Sequence, residues 1–396
     1  VIMEQFKYYA PTKILFGKNT EAEVGELCKT QGASKVLVHF GGSSAKKSGL
    51  LDRVCGALQE AGLHYVTLGG VVPNPRLSKV YEGIEICRRE KVDFILAVGG
   101  GSVIDTCKAI AHGAANPGTD IWEFWKRRAP LTRSMPVGVV LTIPAAGSET
   151  SDSAVLTNAE AGEKRGLNTP FNRPAFAILD PLLAATLPVH QVACGVSDIL
   201  MHTLDRYFNP VTDNALTDEL AEALLRVVLE YGPAAVRDAH DEKAMSEIMW
   251  AGSLSHNGLT GLGGRKDFAT HQLGHALSEK FDVYHGDSLT AVWSSWARSV
   301  MDESPARFAR FARNVWHVEE ADDTAAALAG IAKQEAFFQS IGMPVRLGEL
   351  SCGRQDEAGL ADLASRCSYG KTRTIGTFRV LDYESILAIY RRANEA

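Results

Sequence analysis

Residues 94–111 read FILAVGGGSVIDTCKAIA: an apolar run, three glycines, a serine, then apolar residues at Val103, Ile104, Cys107 and Ala111 spaced for one helix face. A buried strand that turns through glycine into a helix is the unit from which parallel sheets are wound. Gly99, Gly100 and Gly101 let the backbone approach a ligand closely. The helix that follows offers unpaired N–H groups and a positive dipole end to a pyrophosphate, with Ser102 as helix cap or phosphate donor. The same glycines also read as plain turn punctuation. Their spacing is not G-x-G-x-x-G, so the pattern predicts a Rossmann-like domain wired differently from the standard one.

Around this turn the chain repeats the alternation. KVLVHF (35–40), HYVTLGG (64–70), DFILAVGGG (93–101) and PVGVVLTIP (136–144) are short β-rich runs, and helical periodicity appears near 46–61, near 76–90 and from about 102. An irregular hairpin-like region at 153–178 ends in FAILDP. Strands alternating with helices predict a parallel sheet covered on both faces, so an α/β domain is expected over residues 1–186. Beyond Thr186 the β pattern stops. Residues 187–396 are rich in Ala, Leu, Glu and Arg with helical periodicity, punctuated at FNPVTD, EYGP, GLGGRKD and GMPV. A second, all-helical domain is expected there.

With 396 residues, 45% hydrophobic and 22% charged, the composition is that of an ordinary globular protein long enough for two cores. The formal net charge of -6 gives no basic field for a nucleic-acid backbone or an anionic membrane. No apolar run reaches the roughly 18 residues of a membrane helix, and the opening VIMEQFKYY lacks the basic flank and apolar stretch of an export signal. Seven scattered cysteines without a C-x-x-C pair suggest neither a disulfide framework nor a cysteine zinc site. A reducing cytoplasm is the expected location.

In many dinucleotide sites an acidic residue after a neighbouring strand accepts hydrogen bonds from the adenosine ribose and would repel a 2′-phosphate. Here KVLVHF runs into GGSSAKK, with no carboxylate. Gly41 and Gly42 leave room, Ser43 and Ser44 can donate hydrogen bonds, and Lys46 or Lys47 can offset two negative charges. This pattern favours NADP(H) over NAD(H), against the plainer reading of a capped helix with solvated lysines.

The helical half carries the metal signal. GVSDILMHTLDRYF puts Asp198 and His202 four residues apart, on one helix face. DFATHQLGHALSEKFDVYHG repeats that spacing with His271 and His275 and adds His285. One carboxylate with three imidazoles would suit a borderline divalent cation such as Fe²⁺ or Zn²⁺. A metallopeptidase needs H-E-x-x-H, but Gln272 follows His271, so that chemistry is excluded. Five residues exceed a four-ligand site, and spacing does not say which histidine is left over.

The chain resembles the iron-containing (group III) alcohol dehydrogenases over nearly its whole length, through GGGSVID (99–105), LTIPAAGSETS (141–151), AILDP (177–181), GVSDILMHTLD (195–205), DFATHQLGHAL (267–277) and YHGDSLTAV (284–292). FGGSSAKKSGL (40–50) and VVPNPRLSKV are similar to the butanol dehydrogenase and NADPH-dependent aldehyde reductase branch. The resemblance implies a dehydroquinate synthase-like two-domain architecture and reversible hydride transfer between NADP(H) and a primary alcohol/aldehyde pair. It implies Asp198, His202, His271 and His285 as ligands of one divalent metal, leaving His275 near the nicotinamide and substrate as a proton relay or pocket wall. It further implies a cofactor cleft between the domains, lined by Asn74, Asp105, Thr142, Ser148, Lys164 and Leu183 besides the glycine turns. PAAGSE, with Ala145 and Ala146, departs from the threonine-rich turn of many relatives and removes possible hydroxyl contacts. A homodimer is expected on the same ground.

Dehydroquinate synthase-like and glycerol dehydrogenase-like enzymes share the fold and are the rival readings. A synthase of that type needs several basic side chains for an anionic substrate, whereas the metal motifs are flanked by Phe268, Ala269, Leu273 and Ala276. A non-catalytic nucleotide- or metal-binding protein is the outside alternative. Phe268, with Trp293 or Trp296, is expected to wall a pocket for unbranched or aromatic aldehydes. His39, His64, His112, His190, His240, His256 and His317 have no motif around them and read as structural or solvated.

Overall fold

The computed structural model describes residues 3–211 and 213–395. They form two units, one of residues 9–187 and one of residues 3–8 with 188–395. The first few residues thus lie with the helices rather than in the α/β domain of 1–186. The reason is local: Glu4 N–H donates to the Gly263 carbonyl (2.9 Å), and Arg265 pairs with the Glu4 carboxylate (2.5 Å).

In the α/β unit the strands are β1 (Lys13–Phe16), β2 (Lys35–Phe40), β3 (His64–Leu68), β4 (Phe94–Gly99), β5 (Val137–Leu141), β6 (Ser153–Asn158), β7 (Glu163–Asn168) and β8 (Phe176–Leu179). Between them run α1 (Val24–Thr30), α2 (Ser44–Lys47), α3 (Leu50–Glu60), α4 (Leu77–Glu90), α5 (Gly101–Ala115) and α6 (Ile121–Trp125). Six strands form one sheet in the order β1-β8-β5-β4-β2-β3, all neighbours parallel, while β6 and β7 pair antiparallel on their own. β4 is buried at every residue, which its continuous apolar run anticipates, since helices cover both faces of a parallel sheet. Phe94 and Phe176 stack at 5.9 Å in the core, and a Cβ on Gly138 would meet the Phe176 ring at 2.3 Å.

Three local features differ from expectation. β1 is an additional edge strand, β8 belongs to the parallel sheet, and the helix expected over 46–61 is broken into α2 and α3 at Gly49, whose φ is 75°. The winding matters most for function. From β2 the chain moves outward to β3, then crosses to the other side of β2 as β4 and continues away through β5. Winding therefore reverses between β2 and β4, and the carboxyl ends of those strands open the crevice where α/β sheets bind ligands.

The helical unit comprises α7 (Val189–Tyr207), α8 (Ala215–Arg237), α9 (Glu242–His256), α10 (Ala269–Phe281), α11 (His285–Val300), α12 (Pro305–Trp316), α13 (Asp323–Ser340), α14 (Glu357–Cys367) and α15 (Tyr383–Asn394). Every residue of α7 from Gly195 to Tyr207 is buried, so it is surrounded by other helices rather than laid on a surface. Trp293 and Trp296, expected beside a substrate pocket, are instead fully buried core. Trp296 packs on Phe208 and Phe308, and Trp293 on Phe311 and Phe338. Their indoles are too large to remain half-wet once α11 lies between α7 and α13. Among the described residues no helix is long and apolar enough to cross a membrane.

Candidate dinucleotide crevice and metal centre

The two glycine turns named from sequence lie at the two strand ends that form the switch point. Gly41 and Gly42 follow β2, and Gly99 to Gly101 lead from β4 into α5. No side chain caps α5, whose N-cap is Gly100. A Cβ on Gly100 would meet Ile143 at 2.9 Å and one on Gly101 would meet Ala146 at 2.8 Å, so the turn is pressed against the segment after β5. Close approach, rather than left-handed backbone, explains the glycines. The uncapped helix start suits a pyrophosphate. At the other strand end, Gly42, Ser43, Ser44, Lys46 and Lys47 are exposed, with Lys46 Nζ 5.3 Å above the Phe40 ring.

The remaining cofactor candidates divide by what they touch. Asp105 accepts from Ser148 Oγ (2.5 Å) and from the Val155 N–H (2.9 Å), and buried Lys108 donates to Ser148 Oγ (2.9 Å) and the Ser153 carbonyl (2.8 Å). Burial draws Lys108 down to about 8, against the opposing pull of Asp105. Sequence reading missed Lys108, which projects from the α5 helix towards the loop that carries Ser148. Asp105 and Ser148 thus tie that loop to α5. Lys164 donates to Asn74 Oδ1 (2.9 Å), joining residues 90 apart, and Asn74 adopts a left-handed φ of 61°. Thr142 N–H bonds the Gly99 carbonyl (3.1 Å) at the end of β4. Leu183 packs half-buried on the sheet's apolar core.

The metal candidates converge within the helical unit. Asp198 and His202 share a face of α7 with Asp205 and Arg206, a polar stripe on an otherwise apolar buried helix. α10 brings His271 to that stripe. The first turn of α11 brings His285, because Gly286 lets it approach α7: a Cβ there would meet Cys194 Cα at 2.7 Å. Asp198 Oδ1 is then faced by His202 Nδ1 at 3.2 Å, His285 Nε2 at 3.5 Å and His271 Nε2 at 3.6 Å. Asp198 Oδ1, His202 Nδ1 and His271 Nε2 are buried and have no hydrogen-bond partner. Buried polar atoms are normally satisfied, so a converging unsatisfied carboxylate–imidazole set fits a divalent cation.

Beyond the candidate ligands, His271 Nδ1 donates to Asp205 Oδ2 at 2.6 Å. A carboxylate only accepts, so Nδ1 carries a proton and Nε2 is the nitrogen turned to the site. Burial lowers the His271 pKa, but Asp198 and Asp205 on either side outweigh it and raise it to about 9. For Asp198 burial acts upward, and the imidazoles of His285 and His271 hold the carboxyl below its ordinary value. His202 is pushed well down by burial and by the neighbouring His271 and Arg206 charges.

His275 is brought to the edge of this group, its ring 5.7 Å from His285 and 6.4 Å from His271. Phe268 lies 5.0 Å from the His271 ring, held at a left-handed φ of 54° just before α10. Such strain in a large non-glycine residue collects at functional sites. Sequence reading missed two members. The His256 ring lies tilted against His202 at 4.0 Å and takes a hydrogen bond on Nδ1 from Arg206 (2.7 Å), while Asp205 orients His271. Only Asp205 left a trace in the sequence, seven residues after Asp198 on the same helix face.

A dinucleotide crevice in one unit and a nitrogen–oxygen cation cradle in the other fit the class of metal-assisted nicotinamide oxidoreductases. Residues 11–181 match the family described as iron-containing alcohol dehydrogenase, and residues 191–394 match the C-terminal part of the Fe-containing alcohol dehydrogenase family. The chain is 37% identical over 393 residues to NADH-dependent butanol dehydrogenase A of Clostridium acetobutylicum, covering 99% of this chain and 100% of that one. It is 36% identical over 349 residues to the NADPH-dependent aldehyde reductase YqhD of Escherichia coli, covering 88% of this chain and 89% of that one. The crystal structure of NADH-dependent butanol dehydrogenase A from Thermotoga maritima superposes with a TM-score of 0.95 at 33% identity, covering 100% of both chains. The chain belongs to the iron-containing alcohol dehydrogenase family, in its butanol dehydrogenase and aldehyde reductase branch. It is an oxidoreductase of the alcohol dehydrogenase/aldehyde reductase type, with the divalent metal and nicotinamide cofactor that the family implies.

Proposed function

We propose that this enzyme reversibly reduces small unbranched or aromatic aldehydes with NADP(H), using one Fe²⁺ or Zn²⁺ held by Asp198, His202, His271 and His285. The observation that carries the reading is Asp198 Oδ1 buried among three imidazole nitrogens at 3.2 to 3.6 Å. When bound, the cation supplies Lewis-acid polarisation of a carbonyl and the nicotinamide supplies a hydride. The chain's own residues do the rest. Asp205 fixes the tautomer and direction of His271, Phe268 keeps water from one side, and His275 hands a proton to the product oxygen. Uncapped α5 receives the pyrophosphate, and Asp105, Ser148 and Lys108 hold the adjoining loop. Asn74, Thr142, Lys164 and Leu183 position the cofactor further along.

Preference for NADP(H) is supported by the missing carboxylate after β2 and by the exposed Ser43, Ser44 and Lys47 in its place. Named relatives use either cofactor, so this chain's own residues argue the point. Metal-loaded enzyme should oxidise NADPH when an aldehyde is added, with a higher kcat/KM than for NADH. Ser43→Asp should shift that ratio towards NADH by repelling the 2′-phosphate. A wild-type preference for NADH ends the cofactor assignment, and no aldehyde-dependent oxidation of either ends the reaction. A cytoplasmic homodimer belongs to the same reading. Exposed Phe6, Tyr8 and Tyr9 before edge strand β1 support the dimer, which analytical ultracentrifugation tests.

A further inference from the structure

One turn-by-turn continuation of the α7 polar stripe leads away from the first ligand set. His190 and Cys194 stand eight and four residues before Asp198, and Asp287 stands two residues after His285 on α11. His190 Nε2 lies 3.0 Å from Asp287 Oδ2, Cys194 Sγ lies 3.6 Å from His190 Nε2, and Sγ lies 3.8 Å from Asp287 Oδ1. A tetrahedral zinc-class ion, bound at about 2.0–2.2 Å by nitrogen and oxygen and about 2.3 Å by sulfur, spaces its ligand atoms about 3.4 Å (N to O) and about 3.6 Å (S to N or O) apart. Each observed spacing is within about 0.4 Å of those separations, with the nitrogen and the sulfur facing different oxygens of the Asp287 carboxylate.

We propose that His190, Cys194 and Asp287 form a second divalent-cation site, selective for zinc-class ions and filled independently of the first ligand set. The His190–Asp287 ion pair and the thiol hydrogen bond from Cys194 to Asp287 already bring the three donor side chains together without an ion. The T-shaped contact of His190 with Tyr284 (5.6 Å) fixes the ring that presents Nε2. His190, Tyr284 and Asp287 line a cavity of about 430 Å³ that also takes in Asp282 and Glu349. With His190 and Asp287 on its wall, this space leaves the fourth position to water or a small anion, and the carboxylates of Asp282 and Glu349 favour a cation there. The S, N, O donor set selects zinc-class ions over magnesium or calcium, which take oxygen. Without a cation the sulfur is a thiol, since burial raises it and Asp287 adds to that. Coordination releases that proton to solvent. Because α7 and α11 contribute to both ligand sets, an ion here would pin Asp287 to α7 two residues from His285.

Cobalt(II) reports this site apart from the first, whose ligands include no sulfur. Full-length protein titrated with Co²⁺ should take up two equivalents, one of them giving the near-ultraviolet thiolate-to-cobalt charge-transfer band. Cys194→Ser and Asp287→Asn should each lose the band and one equivalent. His190→Ala, at a side chain 43% exposed and so tolerant of truncation, should do the same with an unchanged circular dichroism spectrum. Asp198→Asn should keep the band and lose the other equivalent, which separates failure of this proposal from failure of the first assignment. No band at saturating Co²⁺, a band that survives in Cys194→Ser, or two equivalents retained in His190→Ala would each overturn the second site.

Discussion

At His271 two carboxylates act on one imidazole: Asp205 accepts a hydrogen bond from Nδ1–H at 2.6 Å, and Asp198 lies 3.6 Å from Nε2. The first contact orients the ring, and the second faces the proposed cation position. Asp205→Asn keeps the shape of the side chain but removes the charge and presents an amide that can turn a donor towards Nδ1. Cation affinity should fall by about 10–100-fold, measured by competition with a metal buffer. Unchanged affinity would mean that packing alone holds the ring. His271→Ala should lose bound metal and activity together, whereas His275→Ala should keep the metal and NADPH binding while kcat falls or its pH dependence changes. Metal lost from the His275 variant but kept in the His271 variant would reverse the two roles. Unchanged kinetics and pH profile would make His275 a pocket wall.

Between elements, the clearest electrostatic tie in the helical unit joins α13 to α11. Glu335 accepts from Arg298 (2.8 and 3.3 Å) and from Arg346 (2.8 Å), and Arg346 also reaches Ser294 (3.0 Å). Burial raises the Glu335 carboxyl, but hydrogen bonds from the two guanidiniums and Ser294 outweigh it and hold it at about 2. Since the folded value lies below the ordinary 4.5, this carboxylate stabilises the fold above pH 4.5, and that contribution disappears as pH falls from 4.5 towards 2. At most it amounts to about 3 kcal/mol, from a side chain only 16% exposed. Glu335→Gln should lose about 1–3 kcal/mol at pH 7, and urea unfolding at a series of pH values should show the wild-type advantage shrinking through that window. An advantage that is flat with pH would refute the ion-pair account. Local pattern also decided which elements could be read from the sequence. β2 and β4 were legible to the residue or nearly so because strands buried on both faces are continuous apolar runs. β1 was not, because KILF is four residues long with no period to detect. Asp198, His202 and His271 stood out as candidates through i,i+4 spacing, and their side chains converge. His256 was hidden because its partners, His202 and Arg206, are about fifty residues away in sequence and meet it only through the packing of α9 on α7.

For the whole molecule, each unit carries its own ligand set: the glycine turns lie within residues 9–187, and the four metal candidates within 188–395. A ligand that binds only the folded form stabilises it by about 2.7 kcal/mol at a hundred times its Kd, and the gain belongs to the elements that bind it. Without a cation, Asp198 keeps a buried oxygen with no hydrogen-bond partner, and His202 and His271 each keep an unsatisfied nitrogen. Removing metal with a chelator should therefore lower amide-exchange protection in α7, α10 and the first turn of α11, and Fe²⁺ or Zn²⁺ should restore it. β2, β4 and α5 should be unaffected. NADPH added to the metal-free protein should do the converse, protecting residues 41–47 and 99–105 without restoring α7 or α10. Protection lost equally from the sheet and the helices on chelation would show that the two units unfold as one. Protection lost from neither would show that no cation binds among Asp198, His202, His271 and His285, and the proposed chemistry would lose its centre.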